Sequence, residues 1–232
     1  MKNFTNYLLL IVTVFAFTHT SAQKRTVDLP SFSELSFGIP GKLYLSQGKQ
    51  NISIDCSDDV FDKIEFRISG NKLIIESKSN WGWNGIKNTE LTIYISMENI
   101  EEIGLSGSGE LIGEQKINAN NLKLRLSGSG SMSLEASASD LSTSISGSGR
   151  MILTGNAEIL KAKISGSGSI KAEDVTVNIV DASISGSGNV YITVNEEIKA
   201  RISGSGSVYY KGDPKQKDSH ASGSGKIRQM NG

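Results

Sequence analysis

The chain of 232 residues contains one cysteine, Cys56. One thiol cannot close an internal disulfide, so the fold is not held by cross-links even in an oxidising compartment. Histidine is nearly missing as well, with only His19 and His220. A Ser-His-acid triad or a His-based zinc site therefore has almost nothing to work with. Net charge is absent: 24 basic residues stand against 24 acidic ones, which argues against a globally basic nucleic-acid binder. Helix-length apolar stripes of period 3.6 are missing from the repeated part, and this excludes helical solenoids.

Long hydrophobic runs are also lacking, apart from one short one at the start. Lys2, the apolar stretch from Leu8 to Phe17 and the small residues Thr20-Ser21-Ala22 before Gln23 form a secretory signal-peptide pattern. The run is too short to span a bilayer, so residues 1–22 are expected to be cleaved, leaving a mature chain with no transmembrane segment. No Cys follows Ala22, so a lipid anchor at that point is not expected. The destination is the periplasm, the outer membrane surface or the medium.

What the chain has in abundance is glycine, with 25 residues, and much of it sits in one tetrapeptide. Ser-Gly-Ser-Gly begins at Ser106, Ser127, Ser146, Ser165, Ser185, Ser203 and Ser222, at spacings of 21, 19, 19, 20, 18 and 19 residues. A flexible linker has no reason to recur at a near-constant period, whereas a solenoid uses one repeat per coil.

Aligned on the tetrapeptide, the apolar residues fall into columns. Leu105, Leu126, Ile145, Ile164, Ile184, Ile202 and Ala221 precede it. A mostly small column of Thr143, Ala162, Ala182 and Ala200, with Leu124 the large exception, stands two further back, and Leu122, Leu141, Leu160, Val180 and Ile198 two further again. After it come Leu111, Met132, Met151, Ile170, Val190, Val208 and Ile227. All share one parity, as do both glycines of each tetrapeptide. Glycines inward and serines outward through an extended bend is one reading; a turn that resets the phase is the other. The variation in repeat length falls in the segments 114–121, 135–140, 154–159, 173–179, 193–197 and 211–216, which the pattern assigns to loops on one side.

The predicted fold is all-β: a right-handed parallel β-helix of about seven coils, handed by the general chirality of parallel crossovers. Residues 23–104 form its irregular β-rich start and cap, and 105–232 its repeats, in one continuous domain. In the cap, strands are expected at 42–46, 51–56, 63–69, 72–77 and 91–95, with a hairpin at Ser69-Gly70-Asn71 and a helical turn within 58–63.

The signal peptide, the irregular β start and the runs Leu126-Ser-Gly-Ser-Gly130, Ile164-Ser-Gly-Ser-Gly168 and Ile202-Ser-Gly-Ser-Gly-Ser-Val-Tyr-Tyr-Lys-Gly-Asp-Pro214 resemble the head GIN domain family of auto-transporter adhesins. The resemblance implies a secreted right-handed β-helical protein of Gram-negative envelopes and brings no catalytic residues with it. The auto-transporter part of that name finds no counterpart here, because seven residues after Gly225 cannot make a membrane barrel.

Two candidate contact sites follow from the residues. On the strand entering the tetrapeptide, basic pairs occupy every second coil: Lys123 and Arg125, Lys161 and Lys163, Lys199 and Arg201. They form a ladder for a polyanion such as an acidic glycan or lipopolysaccharide phosphates, or else plain alternation that avoids stacking like charges. Trp81 and Trp83, both tryptophans of the chain, either stack on a sugar ring or a partner surface, or fold over the open first coil. Cys56 shares parity with Ile52 and Ile54 and reads as a small buried hydrophobe.

No catalytic, cofactor-binding or metal-binding residues are assigned, and no nucleic-acid partner is expected. The functional expectation is a secreted, non-catalytic envelope module that presents repeated outward side chains to a glycan or surface protein. A polysaccharide-active β-helix enzyme using the acids of the variable segments is the alternative, and self-association through the solenoid ends a third.

Overall fold

A computed structural model describes residues 23–78 and 91–230. The order is β1 (Gln23–Thr26), β2 (Glu34–Phe37), β3 (Lys42–Gln47), β4 (Asn51–Cys56), α1 (Asp58–Phe61), β5 (Ile64–Ser69), β6 (Lys72–Ser77), β7 (Thr92–Met97), β8 (Glu102–Gly107), β9 (Glu110–Gly113), β10 (Ile117–Gly128), β11 (Ser131–Gly147), β12 (Arg150–Gly166), β13 (Ser169–Gly186), β14 (Asn189–Gly204), β15 (Ser207–Lys211), β16 (Gln216–Ser222) and β17 (Lys226–Gln229). The expected architecture is present: a β-solenoid of about seven turns. From β8 onward each coil lies parallel on the one before it, column on column. Leu126 stacks on Ile145, Ile145 on Ile164, Ile164 on Ile184 and Ile184 on Ile202. Each of these side chains is at most 2% exposed.

The tetrapeptide is a corner, and its two glycines act differently. Parity is kept across it, with Leu126, Gly130 and Met132 buried and Ser127 and Ser129 exposed. The first glycine, however, leaves the extended region, at φ 113° for Gly128 and 119° for Gly147, where L side chains are strained. A Cβ on Gly147 would stand 2.6 Å from the carbonyl oxygen of Gly128 one coil away. Backbone bonds hold the corners together: the amides of Ser148 and Ser167 donate to the carbonyls of Gly128 and Gly147, both at 2.9 Å. The bend is thus neither a simple extended bend nor a phase reset, because a positive-φ glycine turns the chain while its inward register persists.

The segments expected as loops are mostly a further wall. Ala136 pairs with Gly155, Ala138 with Ala157 and Val177 with Val194. Ala136, Ala138, Ala157, Val175, Val177 and Val194 are all buried. Their side chains are too small, and their runs too short, to stand out as a strand pattern. The phase also breaks before Leu141, since Ala138 and Leu141 both point inward three residues apart. Only 114–116 and 212–215 of these stretches lie outside the strands. The length variation does fall here, as register shifts between Ile152 and Thr154, Ala172 and Thr176, and Val177 and Ile179.

The N-terminal end is interleaved. β2 lies between β6 and β8, and β3 between β7 and β9, all parallel. The chain therefore lays down its second rung first, loops outward, and returns to build both neighbours. Antiparallel strands close the end: β5 pairs with β6 through the expected two-residue hairpin with Gly70 at φ 61°, β4 pairs with β7, and β1 covers β4. α1 fills the turn between β4 and β5 with Val60 buried. Among the described residues no helix is long and apolar enough to cross a membrane.

Candidate binding surface

Outward side chains on the strand entering the tetrapeptide form two columns. The first runs Lys72, Glu34, Glu102, Lys123, Ser142, Lys161, Asp181, Lys199, Asp218; the second includes Arg125, Ser144, Lys163, Ser183, Arg201 and His220. All six ladder cations lie on this one face, but they are not equally available. Arg125 contacts Glu102 at 3.3 Å, Lys161 contacts Asp140 at 2.9 Å, Lys199 contacts Glu197 at 2.6 Å, and Arg201 lies 3.8 Å from Asp181 and 3.5 Å from Asp218. Among the described residues Lys123 and Lys163 are the ladder members that form no ion pair.

At the top of the first column the charges tie the cap to the repeats. Lys72 reaches Glu34 at 2.9 Å and Glu102 at 3.0 Å, so four neighbouring rungs are linked through Arg125. Burial alone would raise the Glu102 carboxyl, but the hydrogen bond and charge of Lys72, with Arg125 beyond, outweigh it and hold the group below the ordinary carboxylate range. The hydrogen bonds to Glu34 and Glu102 push the Lys72 ammonium above its usual value.

Two adjoining grooves run along this face. One, of about 760 Å³, is lined by Gln47, Asn99, Asn118, Asn120 and Asn121 together with Lys123, Asp140, Ser142 and Lys161. The other, of about 340 Å³, continues over Arg125, Ser144, Lys163 and Ser183. Gln47 shapes the first: its Oε1 accepts from the Asn118 amide at 2.8 Å and its Nε2 donates to the Asn118 carbonyl at 2.9 Å, so one side chain mimics a strand rung where β10 begins. The wall is rich in amides, each of which donates and accepts, and carries the carboxylates of Glu101 and Asp140 and two ammonium groups.

A second outward surface follows the corner. Its columns were within reach of the alignment used above, because the third residue after each tetrapeptide is Ile112, Ser133, Ile152, Lys171, Tyr191, Tyr209 and Arg228. Tyr191 and Tyr209 stack with centroids 4.9 Å apart, and Tyr44 and Tyr94 do so at 5.1 Å in the interleaved coils. The amide cluster of the first groove gave no such signal, since Gln47 and Asn99 reach it only through the interleaving.

Cys56 is buried, as expected of a small hydrophobe, and burial pushes its thiol up. His220 is exposed on the last rungs. Trp81 and Trp83, like the signal-peptide segment 1–22, lie outside the described residues.

Residues 31–214 match the family described as "Putative auto-transporter adhesin, head GIN domain". The chain belongs to the head GIN domain family. Solved structures carry the same solenoid. A protein of Bacteroides fragilis described as a "putative adhesin" shares 25% identity at a TM-score of 0.84, covering 90% of this chain and 96% of its own. A "putative adhesin" of Parabacteroides merdae shares 22% at a TM-score of 0.72, with 92% and 98% covered. A "putative lipid binding protein" of Parabacteroides distasonis shares 23% at 0.70, also with 92% and 98% covered, and at this identity the likeness is one of fold. No curated protein matches the chain. Membership in this family supports an adhesin-like role for the chain, as an exported or surface protein.

Proposed function

We propose that this chain is an exported envelope module that binds a glycan without catalysis, in the groove beside the basic ladder. The observation that carries the reading is the continuous groove on the entering face, walled by amides and charges from successive rungs. Sugar hydroxyls are both donors and acceptors, and a wall of Asn side chains flanked by Asp140, Lys123 and Lys161 offers both in register. Rungs repeat at about 4.8 Å, so a chain-like ligand meets equivalent contacts in succession and weak contacts add. Of the ladder, Lys123 and Lys163 carry the charge recognition; the other four cations mainly balance acids on the same face. Export rests on the signal-peptide pattern of residues 1–22, and the family description agrees with it.

A glycan array probed with the mature chain, beside a reducing-sugar release assay, tests this reading. The expected result is retention of one or more polysaccharides with no release of reducing ends. Replacing Asn120 and Asn121 by Ala should weaken that retention about ten-fold, or about 1.4 kcal/mol, with folding intact. Release of reducing ends would return the protein to the enzymes. A second reading, self-association, is favoured by the strand edges at the far end: β16 pairs with β14 and β17 with β15, each on one side only among the described residues. Concentration-dependent light scattering of the mature chain reads it out.

A further inference from the structure

The face after the corner differs from the grooved one in its charge. In its lower four coils the outward columns carry Lys171, Tyr191, Tyr209 and Arg228 side by side, with Ser169, Asn189, Ser207 and Lys226 beside them. No acid stands in either column from Arg150 downward, although the whole chain is neutral. None of Arg150, Lys171, Lys226 and Arg228 forms an ion pair among the described residues, whereas four of the six ladder cations do. The acids nearest along the chain, Glu173 and Asp174, stand at the register shift within β13 that follows these columns.

The tyrosines fix what the cations can meet. Tyr191 and Tyr209 lie 12° from parallel, so each ring covers a face of the other and the pair turns edges outward. Aromatic edges are the electropositive part of the ring quadrupole, and each ends in a hydroxyl that has no hydrogen-bond partner among the described residues. Edges, phenol hydroxyls and the unpaired cations Lys171, Lys226 and Arg228 all favour an anion that also accepts hydrogen bonds. Rings locked against each other are poor platforms for single-stranded bases, which need an open aromatic face. A membrane surface would want an apolar rim, and among the described residues this face offers a single large exposed hydrophobic, Ile152 beside Lys171.

We infer that this flat face is a second, independent binding site, for a carboxylate-bearing polysaccharide that lies along the column from Lys171 to Arg228. The column spans three rung spacings, about 14 Å, so several carboxylates of one chain are engaged together. Lys171 and Arg228 bracket the tyrosines and set the charge requirement, while the two hydroxyls select hydroxyl- and carboxylate-bearing rings over bare anions.

The test uses the mature chain with polygalacturonate, its carboxyl-reduced form, and vesicles of anionic phospholipid. Expected are retention of polygalacturonate that weakens as salt rises, and little retention of the reduced polymer or the vesicles. The double variant Lys171→Ser, Arg228→Ser should lose about ten-fold in affinity; Ser already occupies this column at Ser133, so the substitution suits the fold. Tyr191→Phe with Tyr209→Phe, which keeps the stack, should lose a few-fold. Lys49→Ser with Lys215→Ser, which removes two exposed cations outside both columns, should leave polygalacturonate binding unchanged, and this separates the column from a general effect of net charge. The inference is overturned if the wild type does not retain polygalacturonate, if the double variant binds as well as wild type, or if vesicles bind in preference to the polymer.

Discussion

The two ends of the solenoid solve the same stacking problem by different means. In the regular coils, sequence order equals spatial order, and each corner is the same tetrapeptide bonded through its backbone to the corner above. In the interleaved end, β2 and β3 lie between strands that come later in the chain, and Phe37-Gly38-Ile39-Pro40-Gly41 makes their corner without a Ser-Gly-Ser-Gly. The difference teaches that the tetrapeptide is a requirement of identical coils laid one on another. Where a coil is bracketed by non-sequential neighbours, and an antiparallel layer of β4 and β5 closes the stack, specific packing around Leu35, Phe37, Leu43 and Leu45 takes over.

Substitution of the same residue type in the two regions should separate them most sharply. Gly147→Val at a regular corner places a branched side chain at φ 119° with its Cβ 2.6 Å from the Gly128 oxygen, and is expected to cost more than about 3 kcal/mol or to prevent folding. Gly70→Ala in the cap hairpin, at φ 61° with no atom within 4 Å of the added carbon, should cost only about 1 kcal/mol. Urea denaturation of the two variants reads the gap. Equal losses would mean that the corners tolerate a Cβ and that the repeat has another cause.

The join between the regions gives an intermediate effect. Glu102→Gln removes the carboxylate that Lys72 and Arg125 share, and a charge-assisted bond of this kind is worth about 1.5 to 3 kcal/mol at neutral pH, less where water screens it. Because the Glu102 carboxyl is held below its ordinary value, its contribution is present above the unfolded value of about 4.3 and disappears as pH falls through the folded one. The Lys72 ammonium is raised, so its share is complete below about 10.4 and is lost as pH climbs through the raised value. Stability curves of wild type and variant should therefore converge at the acid extreme and only narrow at the alkaline one, where Arg125 still holds the Glu102 carboxylate. The smallest effect belongs to the exposed ladder pairs: Arg201→Ser should change stability by less than about 0.5 kcal/mol, since its side chain is 57% exposed and each contact is screened.

The regular coils were readable because their register is local. Columns such as Leu122, Leu141 and Leu160 repeat at a fixed offset from a corner that only glycine can make, so one period reveals both wall and bend. The further wall escaped because Ala136, Ala138 and Ala157 are too small to mark a stripe, and because the chain changes phase between Ala138 and Leu141. The interleaving escaped for a topological reason: nothing in the residues of β2 announces that its neighbours are β6 and β8. That hidden adjacency is also what brings Gln47 and Asn99 to the groove beside Asn118. The six ladder cations were found from offset alone, yet their acid partners at Asp140 and Glu197 sit at corners that the alignment assigned to loops. The stacked Tyr191 and Tyr209 occupied an equally regular offset and needed only the outward columns to be read as closely as the inward ones.

The central claim is that Ser-Gly-Ser-Gly shapes the molecule and the faces between the corners bind. The most direct measurement compares glycan affinity for two variants of the mature chain under one set of conditions. One carries Ala at the exposed corner serines Ser146, Ser148, Ser165 and Ser167; the other carries Ala at Asn120 and Asn121. The account predicts wild-type affinity for the first and about a ten-fold loss for the second. Lost binding in the serine variant, with the asparagine variant unaffected, would contradict it.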